Sequence, residues 1–121
     1  MIQSGHESLL AINRLVTELA QRSAKMEDSR SDRRYSLNEP VSLWVVRPRE
    51  TTPRLILRAW GLDLSYQGLG IISEKQASVG AMLIACLREK RPDELRVPFQ
   101  PLFCRALIGN IFRLGGKFLF P

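Results

Sequence analysis

Two short stretches hold the residues best suited to grip an anion or a polar ring. The first is 29-SRSDRRYS-36, where Arg30, Arg33 and Arg34 crowd five positions that contain a single carboxylate, Asp32. Guanidinium groups present planar, permanently charged donor forks that match phosphate oxygens and the edge of a guanine. In an extended chain residues four apart point to the same side, so Arg30 and Arg34 can share one ligand while Arg33 faces away. The same arginines could equally form a solubilising junction or surface ion pairs with Asp28 and Asp32, each of small energetic weight. The second stretch is Asp63-Leu64-Ser65-Tyr66-Gln67-Gly68. Asp and Ser side chains bond to nearby backbone and Gly permits a positive φ, so these residues can simply make a turn. The same geometry suits recognition. A carboxylate accepts from the N1–H and N2–H₂ donors of guanine, a Ser hydroxyl reaches a base or phosphate, and Gly allows a ligand close to the backbone.

Composition narrows the field around these stretches. At 121 residues the chain fits one domain with a core large enough to fold unaided. A hydrophobic fraction of 45% and a charged fraction of 25% are those of a soluble globular protein. The formal charge of +6 and a pI near 10.0 point to an anionic partner, although a basic balance also arises from a merely solvated surface. His6 is the single histidine, and no Cys/His pair has ligand spacing, which argues against metal and nucleophilic catalysis. Cys86 and Cys104 lie in apolar runs and read as buried free thiols of a reducing compartment. The N-terminus MIQSGHESLL lacks a basic region followed by an apolar one, and no apolar run is long enough to span a bilayer. The expectation is a cytoplasmic, non-enzymatic protein without a cofactor.

The elements that must position the two stretches follow from periodicity. From Ser4 to about Met26 apolar residues recur at Leu9, Ile12, Val16 and Leu19, widened by Leu15 and Ala20, which predicts an amphipathic helix. Ser4 and Glu7 form a capping box at its start. That helix packs on its own domain or on a second copy. Residues 26–40, MEDSRSDRRYSLNEP, are polar and end in Pro, as expected of a linker or lead-in arm. Beyond Pro40 short β-type runs alternate with turns: 41–47, 54–64 and LGIIS, then AMLIACLRE, LFCRALIGNIF and RLGGKFLF, with a charged loop at 88–98. About six strands in so short a chain predict a small closed antiparallel barrel, since an open sheet would leave its edges bare. The organisation expected is a helix at 1–27, an arginine-rich arm at 28–40 and a barrel at 41–121.

The order of these features resembles the PilZ domain. An R-x-x-x-R arm runs through Arg34-Tyr35 and Pro40-Val41 into a strand, and D-x-S-x-x-G follows the second strand. The similarity continues through 68-GLGI-71, Gly80 and the closing 113-RLGGKF-118. It implies an all-β, six-stranded barrel preceded by a helix, acting as a receptor for the bacterial second messenger cyclic di-GMP. Carried over by position, Arg30 and Arg34 hold phosphates and guanine from the arm, with Arg33 in a weaker role. Asp63 and Ser65 contact guanine and a nearby phosphate, and Gly68 keeps the turn open. Binding then changes the orientation of the N-terminal helix and affects a downstream protein partner or a homodimer formed through that helix.

Two other classes remain open at this point. A nucleic-acid-binding barrel is favoured by Arg47, Arg49, Arg54 and Arg58 with Trp44 and Trp60. It is disfavoured because most aromatics lie in runs that look buried. A PilZ-like adaptor that works without ligand is the other, and retention of both motifs argues against it.

Overall fold

The computed structural model describes residues 5–22 and 33–120. One helix, α1 (Gly5–Arg22), precedes six strands: β1 (Tyr35–Val45), β2 (Arg54–Leu64), β3 (Gly68–Ser73), β4 (Leu83–Leu87), β5 (Leu95–Ile108) and β6 (Ile111–Phe118). All pairs are antiparallel, and the strands close into a barrel in the order β1-β2-β3-β6-β5-β4, with β4 returning to β1. Closure leaves no free edge, which is how so small a sheet avoids pairing with other chains. The all-β barrel with an N-terminal helix is the fold read from the sequence.

Alternation along the strands fills the interior. Leu43, Leu57, Leu64, Leu69, Ile71, Val97, Phe99 and Leu114 are buried and form one cluster. From the helix, Ile12, Leu15, Val16 and Leu19 join that same cluster, each side chain contributing about 1.5–3 kcal/mol on burial. The apolar stripe is thus spent on the chain's own barrel. Leu9 and Leu10 fall outside it and stay exposed. The Ser4–Glu7 capping box and the stretch that continues to Met26 lie outside the described residues.

Several boundaries differ from the sequence reading. The first strand begins at Tyr35, well before Val41, because the chain accommodates Pro40 inside it. Pro40 sits opposite Trp60 and just beyond the last pair with β4, Val41 with Leu87, where a missing N–H breaks no ladder. The charged loop after β4 ends at Leu95, where β5 begins, so 95–98 are strand rather than loop. The run LFCRALIGNIF is not one strand, because Gly109, at φ 51°, turns the chain between β5 and β6. Cys86 is buried, but Cys104 is only half-buried. Most aromatics are buried or half-buried, as expected, but Trp60 and Phe103 on the strands and Tyr66 in the turn after β2 are exposed.

Two bulges set the geometry of the site. On β1, three steps from Ser36 to Glu39 match two steps on β2, from Asp63 to Gly61. The extra residue lies at Leu37–Asn38, with Asn38 at φ 53° and its side-chain oxygen accepting from Trp60 Nε1 at 2.9 Å. On β2, Gly61 and Asp63 pair with the consecutive residues Ile71 and Gly70, so Leu62 is the extra residue there. A bulge of one residue exchanges the inner and outer faces beyond it.

Candidate functional site

The site is built outward from the β2 bulge. Before it, Leu57 and Ala59 face the interior; after it, Leu64 does. Asp63 is thereby turned to the outer face, where its carboxylate lies over Gly70 of β3. A Cβ on Gly70 would come within 2.7 Å of Asp63 Oδ1. Glycine there is what lets the carboxylate lie flat on the neighbouring strand.

Arg34, immediately before β1, reaches the same place. Its Nη1 donates to Asp63 Oδ1 at 2.7 Å. Its other terminal nitrogen lies 3.6 Å from where a Gly68 Cβ would stand. From β6, Arg113 Nη2 donates to Asp63 Oδ2 at 3.4 Å. One half-buried carboxylate is therefore flanked by guanidinium groups from two separate segments. An ionised carboxylate has about four lone-pair sites, so both contacts leave it capacity to accept from a further donor.

The turn after β2 is closed by Ser65. Its backbone N–H donates to Gly68 O at 3.0 Å, while its Oγ accepts from Gln67 N at 3.2 Å and Gly68 N at 3.0 Å. Ser65 is fully buried and Tyr66, next to it, is exposed. Gly68 has no room for a side chain, because a Cβ would run into the Gly116 carbonyl oxygen of β6. The hydroxyl and the glycine hold a compact corner against which Arg34 and Asp63 are set.

Of the residues singled out by sequence, Arg34, Asp63, Ser65 and Gly68 gather at this one corner. Arg33 is described and exposed. Arg30 lies outside the described residues. Arg113 was missed as a site residue, although a signal existed. Alternation of Leu114, Gly116 and Phe118 toward the interior puts Arg113, Gly115 and Lys117 on the outer face.

A second ionic cluster sits where α1 meets the barrel. Arg88, its side chain only 4% exposed, contacts Glu18 of α1 at 2.9 Å and Glu39 of β1 at 3.3 Å, and donates to Asp93 from its other terminal nitrogen. Burial favours its neutral form. The hydrogen bond to Asp93 and the charges of Glu39, Glu18 and Asp93 outweigh that and hold its pKa above the ordinary arginine value. Among the described residues no helix is long and apolar enough to cross a membrane.

No family model and no curated protein matches the sequence. Solved structures do. The chain is similar to a structure described as the PilZ domain with c-di-GMP of YcgR from Escherichia coli, with a TM-score of 0.52 and 19% identity over 76% of this chain and 79% of that one. It is also similar to YcgR from Escherichia coli in complex with c-di-GMP, with a TM-score of 0.49 and 20% identity, covering 76% of this chain and 38% of the longer one. At such identity the first likeness is one of backbone architecture. The closed barrel, its strand order and the corner after β2 make this chain a protein of the PilZ-domain fold.

Proposed function

We propose that the chain is a non-catalytic receptor domain for cyclic di-GMP, binding through Arg30, Arg34, Asp63, Ser65 and Gly68 and passing the event to a partner. The observation that carries this reading is the 2.7 Å contact between Arg34 and Asp63. It brings Arg34, the last arginine of the arm, and the D-x-S-x-x-G corner to one patch of the outer wall. Arg34 supplies a cation for a phosphate or a guanine face, and Asp63 accepts from a guanine edge. Ser65 and Gly68 fix the corner on which that edge rests. Arg30, four residues before Arg34, supplies the second fork, and Arg33 adds charge nearby.

Ligand binding changes what Arg34 and Arg113 neutralise. In the structure both hold the Asp63 carboxylate. With a doubly negative dinucleotide present, they turn toward phosphate, and Asp63 turns toward base N–H donors. Fixing Arg34 and its neighbours on the ligand costs about 1–2 kcal/mol per residue, which the charged contacts and stacking must exceed. α1 packs on β1 and β5, and its Glu18 shares Arg88 with Glu39 of β1, so it is the element through which a change at β1 reaches a partner protein.

Isothermal titration calorimetry with cyclic di-GMP, and with GMP and cyclic GMP as controls, tests the reading. Binding at micromolar concentration or tighter is expected for the dinucleotide. Arg34→Ala and Asp63→Ala each remove hydrogen bonds to a charged group and weaken it about tenfold or more. No heat with cyclic di-GMP, or undiminished affinity in both variants, refutes it. The occupied state of Asp63 also fits a second reading, an adaptor whose Arg34–Asp63–Arg113 cluster is purely structural. In that case the parent does not bind and the two variants lose stability instead.

A further inference from the structure

The outer wall beside Asp63 carries a second group of residues. Gly70 of β3 is paired with Gly115 of β6, and Gly115 lies opposite Phe103 of β5. The space that a Cβ at Gly70 would fill is taken by the Asp63 carboxylate, and the space at Gly115 by one edge of the Phe103 ring. Carboxylate and ring thus lean toward each other over two adjacent strands, one strand spacing or about 5 Å apart. The ring is exposed on the outer face.

The neighbouring row is cationic. Arg113 of β6 and Arg105 of β5 are directly paired. Like charges in that relation oppose sheet formation, so the pair has no rationale as a device for stability. Arg113 leans to Asp63, and Arg105 places its guanidinium carbon 5.1 Å from the centre of the Phe103 ring. Lys117, opposite Gly68, adds a further cation on the same face. Arg34, Arg105, Arg113 and Lys117 therefore surround one carboxylate and one aromatic ring, a surplus of positive charge that suits a multiply charged anion with a flat polar base.

We propose that Phe103, Arg105 and Arg113 extend the ligand site onto β5 and β6. Phe103 is a stacking platform for a purine base whose edge reaches Asp63, and Arg113 and Arg105 grip its phosphate. This rests on the reading of the chain as a guanine-dinucleotide receptor. It adds residues that neither the arm nor the corner supplies. Stacking exchanges one partner of the ring for another: Arg105 moves from the ring face to the phosphate, and the base takes its place.

The test uses the full chain and cyclic di-GMP by calorimetry, with Arg34→Ala as the control for the receptor reading. Phe103→Leu keeps an apolar side chain over Gly115 but removes the π-face, and weakens binding about tenfold or more. Phe103→Tyr keeps parent-like affinity, and Arg105→Gln weakens binding without altering the circular dichroism spectrum. If the parent binds and Arg34→Ala fails to, while Phe103→Leu and Arg105→Gln bind like the parent, the extension is wrong and the receptor reading stands. If the parent itself does not bind, both fall. Should Phe103→Leu fail to fold, nuclear Overhauser contacts between the Phe103 ring and the guanine H8 of bound ligand decide on the parent chain. Their presence supports the platform and their absence overturns it.

Discussion

Arg88 offers a sharp test of how the helix is held on the barrel. Its guanidinium is almost wholly buried and contacts carboxylates from three elements: Glu18 on α1, Glu39 on β1 and Asp93 in the loop before β5. Removing one partner of a buried ionic cluster costs about 3–5 kcal/mol, because the remaining charges are left uncompensated. Glu18 and Asp93 are partly exposed and can rehydrate, so the lower end, about 3 kcal/mol, is expected for Arg88→Ala. The backbone adds a second component. Arg88 has φ 55°, a left-handed conformation that costs an L-residue about 1–2 kcal/mol. Alanine keeps that strain and glycine relieves it. Arg88→Gly should therefore be about 1 kcal/mol less damaging than Arg88→Ala, the reverse of the usual order in regular structure. For a chain of this size 1 kcal/mol corresponds to about 4 °C in Tm, giving losses of about 12 °C for alanine and about 8 °C for glycine. Thermal unfolding followed by circular dichroism measures both. An alanine variant within about 1 kcal/mol of the parent, or a glycine variant below alanine, refutes this account of the clamp.

Three further outcomes follow from the same structure. The Arg88 hydrogen bond holds the Asp93 carboxyl below the usual aspartate range. A depressed folded pKa gives stability that is complete at neutral pH and lost as pH falls through the lowered value. Parent stability should thus decline in acid below about pH 4, with a shallower acid slope in Arg88→Ala in denaturant titrations run across pH. Gly70→Ala would drive a methyl against Asp63 Oδ1 and push the carboxylate off its strand; cyclic di-GMP binding should fall about tenfold while Tm stays close to that of the parent. Burial first, and then the charges of Glu94 and Glu89, push the Cys86 thiol up. A thiol reagent near neutral pH should label half-buried Cys104 well before Cys86. Because the folded pKa of Cys86 is raised, the stability linked to it is full below the ordinary thiol pKa and fades as pH rises through the folded value; equal labelling rates in the native protein would contradict this.

Much of the architecture was legible because it depends on local periodicity. Steps of three and four residues mark Ile12, Leu15, Val16 and Leu19 as a buried helix face, and they occupy one. Turn residues between β-type runs give the six strands. The limits of those strands were less legible, since Pro40 reads as a breaker unless its place relative to β4 is known. The site shows the same division. D-x-S-x-x-G announces a corner, but strict alternation from Leu57 and Ala59 would turn Asp63 inward. Only the bulge at Leu62, a property of pairing with β3, turns it out. Arg113 lies 50 residues along the chain from Asp63, and the run 113-RLGGKF-118 marks a closing strand without revealing which carboxylate its arginine meets. Arg88 reads as one charge in a charged loop, because nothing in its neighbours' order reveals that three carboxylates converge on it.

The supernumerary residue in β1 has a mechanical meaning. It falls between two ionic moorings of a single strand, Arg34 on Asp63 at the entrance and Glu39 on Arg88 farther along. The spare link at Asn38 lets both moorings hold at once, the entrance lying over Asp63 while Glu39, just past the extra residue, still reaches Arg88.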